Sequence, residues 1–131
     1  MLFRRGMLDT AIIEHASPAA IAEWLAQYLP ANRADAPVAV AMPGGSTPFP
    51  IIEALLARAP GPAWPAITIW PTDDRIVPED HEASNAGKLR ALIEPAGAAL
   101  HPLAEGARPP RFALTWLGMG ADGHIASLFP N

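Results

Sequence analysis

Short apolar runs that end in polar, glycine-containing segments constrain this chain most. Val38–Met42 has no polar residue and leads directly into residues 43–48, Pro-Gly-Gly-Ser-Thr-Pro. Residues 67–70 lead to an Asp-Asp-Arg segment, and residues 112–117 lead to a loop with three glycines. Continuously apolar strands are typical of parallel sheets, whose ligands bind beyond the carboxyl ends of the strands. We therefore expect the three polar segments to meet in one site.

Helical patterns lie between these runs. Ser17-Pro18 and Thr47-Pro48 each combine a capping residue with a proline at the first helical position. The first helix would bury Ile21, Trp24, Leu25, Tyr28 and Leu29, and the second Ile51, Ile52, Leu55 and Leu56. We expect a third helix over residues 84–94, a fourth that begins after residue 124, and a further strand over residues 10–14. The alternation predicts an α/β fold with a mostly parallel sheet.

Composition narrows the classes of function. The chain has 131 residues, which suits one domain over residues 1–131, and half of them are hydrophobic. The absence of cysteine excludes disulfides, thiolate nucleophiles and Cys-ligated metal sites. A net charge of −4 argues against a nucleic-acid partner. No stretch reads as a membrane span or a signal peptide, so we expect a soluble, cytoplasmic protein without a membrane partner.

The segment Gly44-Gly45-Ser46-Thr47 is the first candidate site. A strand–glycine–helix turn offers backbone N–H groups and two hydroxyls at a helix N-terminus, an arrangement that suits phosphate. No lysine follows the glycines, so the segment is not a Walker P-loop. The alternative interpretation is a tight turn with ordinary capping.

The segment Asp73-Asp74-Arg75 is the second candidate. Arg75 could bind a phosphate or carboxylate in bidentate fashion while a neighbouring acid holds it. A structural ion pair at the surface is the alternative, and the residues alone do not decide between the two.

The loop at residues 118–124 is the third candidate. Its glycines match the dinucleotide fingerprint only formally, because no ribose-binding acid follows them. His124 is a candidate general base that Asp122 could orient. The positive end of the expected helix would favour its neutral imidazole. A satisfied helix cap is the alternative.

Taken together, the motifs resemble those of the 6-phosphogluconolactonase family. They are the segment at 43–48, Asp-Asp-Arg-Ile-Val-Pro at 73–78, Ser84-Asn85, and Leu-Gly-Met-Gly-Ala-Asp-Gly-His-Ile-Ala-Ser-Leu-Phe-Pro at 117–130, in the family's order. The related glucosamine-6-phosphate deaminases share the Gly-Gly-Ser-Thr and Asp-Gly-His loops. They typically carry Asp-Glu-Tyr at the second segment and continue differently after the histidine, so Arg75 and Ser-Leu-Phe-Pro favour the lactonase.

The resemblance implies a Rossmann-like three-layer α/β fold, of which this chain matches about half and lacks the C-terminal part. It implies hydrolysis of 6-phospho-D-glucono-1,5-lactone in the oxidative pentose phosphate pathway, with no organic cofactor and no metal. His124 would be the base and Asp122 its partner. Substrate and its phosphate would be bound by Gly44, Gly45, Ser46, Thr47, Asp74, Arg75, Asn85, Gly120 and Gly123.

Two other hypotheses stay open at this point. The chain could be an inactive homologue that at most binds sugar phosphates, or a sugar-phosphate isomerase or deaminase of the same fold. An incomplete sheet would leave an edge and apolar surface uncovered, which makes a homodimer plausible.

Overall fold

The computed structural model describes residues 2–5, 9–32 and 35–131, and its main feature is a parallel sheet. The sheet has four strands in the order β5-β4-β3-β6: β3 (Val38–Met42), β4 (Ile67–Pro71), β5 (Ala99–Leu100) and β6 (Leu114–Thr115). Residues Val38 to Met42 pair in register with Ile67 to Pro71, and Val40 pairs with Leu114. The expected α/β fold with a parallel sheet is confirmed.

A separate hairpin precedes the sheet. β1 (Leu2–Arg5) and β2 (Asp9–Ile12) pair in antiparallel fashion. The expected strand at residues 10–14 is thus shorter than predicted and does not join the parallel sheet. β1 and β5 were not predicted from the sequence.

The described residues form three α-helices, α1 (Pro18–Ala26), α2 (Pro48–Leu56) and α3 (Asn85–Ile93). α1 and α3 begin at serines whose hydroxyls accept backbone N–H bonds: Ser17 from Ala20 and Ser84 from Gly87, both at 3.1 Å. α2 begins at Thr47, whose side chain makes no such bond. One-turn 3₁₀ helices occupy Trp64–Ala66 and Glu94–Ala96.

The core lies between the helices and one face of the sheet. Alternate strand residues supply this face, since successive side chains of a strand point to opposite sides. They are Val40, Met42, Ile67 and Ile69, all at most 2% exposed, and they cluster with Leu25, Ile52, Leu55, Leu89 and Ile93. Burying each such side chain contributes about 1.5–3 kcal/mol. The core thereby fixes the strand ends from which the site segments emerge.

The opposite face of the sheet carries aromatic rings. Trp70 stacks on the His101 ring with centroids 3.8 Å apart and meets Phe112 edge-on at 6.1 Å. Trp70 is buried and Trp116 is half-buried against the core, whereas Trp24, predicted to be buried, is 42% exposed and packs on Tyr28 at 5.0 Å. The apolar stripe of α1 that reaches the core is narrower than predicted and excludes these two rings.

The prediction of a helix after residue 124 is wrong. Ile125 and Leu128 exchange two backbone hydrogen bonds of 3.1 and 2.9 Å, which close a two-residue turn. Ala126 has φ +53° in this turn, as such tight connections require. Leu128 and Phe129 are 77% and 68% exposed, so burial in the core does not support a helix here. The expected strand at residues 112–117 likewise pairs over only two residues.

None of the helices in the described part of the chain is long and apolar enough to cross a membrane.

Candidate active site

The three polar segments meet in one open cavity of about 520 Å³. It lies beyond the carboxyl ends of β3, β4 and β6, because Pro43, Thr72 and Trp116 line it. The size is within the range of small-molecule sites. The predicted convergence is therefore confirmed. Of the predicted site residues, the cavity is lined by Gly44, Gly45, Ser46, Thr47, Arg75, Asn85, Gly120 and His124.

Two glycines shape the turn between β3 and α2. A Cβ on Gly44 would overlap the side-chain amide of Asn85. Gly45 has φ +124°, a conformation that L side chains rarely adopt. Thr47, the residue before α2, makes no side-chain capping bond, and both Ser46 and Thr47 are exposed at this helix N-terminus. This end of α2 can accept an anion.

Arg75 is held beside this turn by neutral groups. Its Nη1 donates to the carbonyl of Ala83 at 3.1 Å and to Asn85 Oδ1 at 3.4 Å. Asn85 Nδ2 in turn donates to the carbonyl of Asp73 at 3.2 Å. These partners leave the positive charge of Arg75 without a carboxylate among the described contacts, so it is available to an anionic ligand.

Asp74 has a different place from the predicted one. It does not line the cavity, and its carboxylate accepts backbone N–H groups rather than the guanidinium of Arg75. The expected ion pair between Asp74 and Arg75 is thus absent from the contacts of the described residues.

His124 and Asp122 form the second half of the site. His124 Nδ1 lies 2.5 Å from Asp122 Oδ1, and the backbone N–H of His124 donates to the same oxygen at 3.1 Å. These hydrogen bonds from His124 lower the pKa of Asp122 from its ordinary value. A carboxylate accepts, so Nδ1 carries the proton and the neutral ring keeps a lone pair on Nε2.

The ring of His124 also lies against Gly120 and Phe129. A Cβ on Gly120 would overlap the imidazole and lie 2.9 Å from Asp122 Oδ1. Phe129 stacks on the ring with centroids 4.9 Å apart. Gly123 has φ +87° and, like Asp122, turns the loop without lining the cavity. Since no helix follows His124, the expected help of a helix dipole does not apply to this imidazole.

The residues of this site all lie within the part of the chain that matches a protein-family model. The family model described as "Glucosamine-6-phosphate isomerases/6-phosphogluconolactonase" matches residues 13–109 and 94–131. The chain belongs to this family.

Curated members of the family are similar to the chain over part of their length. The 6-phosphogluconolactonase of Caulobacter vibrioides is 36% identical in an alignment 112 positions long, which covers 72% of this chain and 47% of the relative. The 6-phosphogluconolactonase of Pseudomonas aeruginosa is 39% identical in an alignment 108 positions long, which covers 67% of this chain and 44% of the relative. The chain thus spans about half the length of the curated relatives it matches.

A solved member has the same fold. The 6-phosphogluconolactonase from Shewanella baltica superimposes with a TM-score of 0.70 at 26% identity, over 85% of this chain and 57% of that one. The Rossmann-like α/β fold expected from the motifs is therefore confirmed for the part of the family fold that this chain covers.

Asp73 belongs to a predicted site segment but was not among the residues expected to bind substrate. Asp73 lines the cavity, and Ser127 Oγ donates to its Oδ2 at 3.4 Å, which joins the loop after β4 to the histidine loop. The Asp-Asp-Arg motif pointed to both acids, but only the folded loop distinguishes the one that faces the cavity from its neighbour. Within the described ranges, no group of three or more His, Asp or Glu side chains could hold a metal ion.

Proposed function

We propose that the chain hydrolyses 6-phospho-D-glucono-1,5-lactone to 6-phospho-D-gluconate. The observation that carries the proposal is the cavity in which an uncapped helix N-terminus and Arg75 face the His124–Asp122 pair. Phosphate and a hydrolysable carbonyl are the two groups that such a site would engage. Membership of the family and its similarity to proteins named 6-phosphogluconolactonase support the same reaction.

The phosphate would bind at the start of α2. Backbone N–H groups of residues 44–47 and the hydroxyls of Ser46 and Thr47 would contact its oxygens, and the positive end of the helix would favour the charge. Arg75 would add a planar, charged donor. Asn85 would contribute by keeping Arg75 at the cavity wall. The same donors could also stabilise the oxyanion that develops at the carbonyl.

The chemistry would take place at His124. Its Nε2 would take a proton from water as the water oxygen bonds to the lactone carbonyl carbon, which gives a tetrahedral oxyanion. Collapse of that intermediate would break the bond to the ring oxygen, and the imidazolium would return the proton to this leaving oxygen. Asp122 would hold the ring and stabilise its charged form, while Gly120 and Gly123 give the loop its shape.

A binding role is the second candidate, because the chain spans only about half of its curated relatives. A protein of this length could bind sugar phosphates without turning them over. The isomerase or deaminase alternative is less favoured, since Arg75 and Ser-Leu-Phe-Pro at 127–130 resemble the lactonase pattern. A homodimer and a cytoplasmic location stay predictions of the sequence. Sedimentation of the purified chain would test the dimer.

Lactone hydrolysis by the purified chain tests the proposal. The substrate is generated in situ from glucose 6-phosphate by its dehydrogenase, and His124→Ala is compared with the parent chain. We expect hydrolysis above the spontaneous rate that falls by about 10²–10⁴-fold in the variant, the range for loss of a general base. A folded chain with no excess hydrolysis would favour the binding role, and turnover unchanged in His124→Ala would refute the assignment of the base.

A further inference from the structure

The carboxylate of Asp74 is fully engaged with the main chain next to the site. Oδ1 accepts the backbone N–H of Arg75 at 2.8 Å and that of Asn85 at 2.7 Å. Oδ2 accepts the backbone N–H of Ala86 at 3.0 Å. Asn85 and Ala86 are the first two residues of α3. One side chain therefore joins the loop after β4 to the N-terminus of a helix that is anchored in the core.

The residues that Asp74 holds are those that place the guanidinium of Arg75. Asp74 fixes the backbone of Arg75 itself and of Asn85, whose Oδ1 accepts from Arg75 Nη1. Asn85 is only 5% exposed and packs directly on Gly44, where a Cβ would overlap its amide. A shift of Asn85 would therefore move both the arginine and the glycine turn of the cavity.

The charge of Asp74 argues against direct contact with the substrate. A carboxylate beside a bound phosphate would repel it, and Asp74 does not line the cavity. Its negative charge instead lies at the N-terminus of α3, where the helix dipole favours an anion. α3 thus has an internal anion at its start, whereas the start of α2 has none.

We propose that Asp74 is a positioning residue, which sets the guanidinium of Arg75 for phosphate through the backbone of Arg75 and Asn85. This inference rests on the proposed function for the identity of the anion. The competing interpretation is that Asp74 only caps α3 and stabilises the fold.

A double-mutant cycle with inorganic phosphate separates the two interpretations. Asp74→Asn, Arg75→Ala and the double variant of the full chain are titrated with phosphate by calorimetry, and their melting temperatures are recorded. We expect Asp74→Asn to weaken phosphate binding about tenfold in the parent chain, the effect of losing one charge-assisted hydrogen bond. In the Arg75→Ala background it should change the affinity less than about twofold, while it lowers the melting temperature equally in both backgrounds.

Glu79→Gln is the matched control, because Glu79 also links this loop to α3, through an ion pair with Arg90 away from the cavity. It should leave phosphate affinity unchanged. The positioning role would be overturned if Asp74→Asn changed phosphate affinity equally in both backgrounds. It would also be overturned if the substitution left the affinity unchanged or increased it. If Asp74→Asn does not fold, Asp74→Glu is used in the same cycle, since it moves the carboxylate by one methylene.

A second readout does not depend on the proposed function. The {¹H}-¹⁵N NOE of the Arg75 Nε–H group reports how firmly the side chain is held. It should fall in Asp74→Asn and stay unchanged in Glu79→Gln. If the chain shows neither turnover nor phosphate affinity, the proposed function is refuted. The NOE would still test the positioning role in that case. An unchanged NOE in Asp74→Asn would overturn the positioning role.

Discussion

The two sides of the cavity are built in different ways. The phosphate side, residues 44–47, 72–75 and 84–86, contains buried polar residues: Ser84 and Asn85 are 1% and 5% exposed. Its hydrogen bonds from Asn85 and Ala86 to the loop after β4 join residues 11 or 12 positions apart. The histidine side, residues 118–129, is exposed, and its Asp122–His124 contacts join residues only two positions apart.

This difference predicts different sensitivities for the two sides. Buried polar contacts between distant segments form together with the core, so changes on the phosphate side should alter stability and ligand binding at once. Contacts within an exposed loop contribute little to global stability. Changes on the histidine side should therefore lower turnover while the fold stays intact.

The largest effect that separates the sides is expected for Gly120→Ala. The new Cβ would overlap the His124 ring and push it from its place between Gly120 and Phe129. A displacement of about 1 Å can reduce turnover about 100-fold, while the free energy of unfolding should change by less than about 1 kcal/mol. Lactonase kinetics and urea unfolding of the same sample measure both.

Gly118→Ala provides the control on the same loop. There the nearest atom to the new Cβ is Pro43 Cβ at 3.9 Å, an ordinary contact. Turnover close to the parent value is expected. Equal losses in the two glycine variants would mean that the loop, rather than the histidine ring, is the sensitive element.

Gly44→Ala should give the opposite pattern. Its Cβ would overlap the Asn85 amide, which is buried and hydrogen-bonded on two sides. Overpacking of this kind costs about 1–3 kcal/mol, so the urea midpoint should fall and phosphate affinity should weaken together. A variant with parental stability and lowered turnover would contradict the distinction between the two sides.

The same distinction explains what the sequence could predict. Apolar runs, capping residues and the rule for parallel sheets predict strand β3, the helix starts at Ser17 and Thr47 and the convergence of three loops. These features belong to the core and to the strand ends that it fixes. The site motifs could be located in the sequence because they follow directly after these strands.

The errors fall where local and long-range contacts compete. Apolar residues 125, 128 and 129 have helical spacing, but they stay exposed rather than joining the core, and a turn with Ala126 at φ +53° forms instead. Asp73 and Asp74 are identical in type, and only the position of α3 decides that Asp74 binds its N-terminus. Periodicity cannot supply this information, because it depends on an element eleven residues further along the chain.

A smaller effect is expected from Ser127→Ala. Ser127 Oγ donates to Asp73 Oδ2 at 3.4 Å and so links the two sides of the cavity. This long, exposed hydrogen bond should contribute less than about 1 kcal/mol, and turnover should fall no more than about threefold. Kinetics at saturating substrate measure the loss. A loss as large as that of Gly120→Ala would show that the sides are coupled rather than separate.

The smallest effect concerns the pKa of Asp122. Hydrogen bonds from His124 lower it below its usual value of about 3.9. Because the pKa is lower in the folded state, the ionised carboxylate stabilises the fold at every pH above its pKa in the unfolded chain. This stabilisation is lost as the pH falls through the pKa of the folded state. The hydrogen bonds between His124 and the Asp122 carboxylate should thus persist at a pH where an ordinary aspartate is already protonated. NMR titration of the Asp122 carboxyl carbon measures this value.

His124→Ala should return the pKa of Asp122 toward its usual value. The pKa of Glu79, which its hydrogen bond with Arg90 lowers at a place away from the cavity, should not respond to the same substitution. If the pKa values of both carboxyl groups changed in His124→Ala, the histidine loop would influence α3. The inference that the contacts of the histidine side are purely local would then be refuted. If only the pKa of Asp122 changed, the Asp122–His124 pair would be a self-contained unit that needs the core solely for its placement at the end of β6.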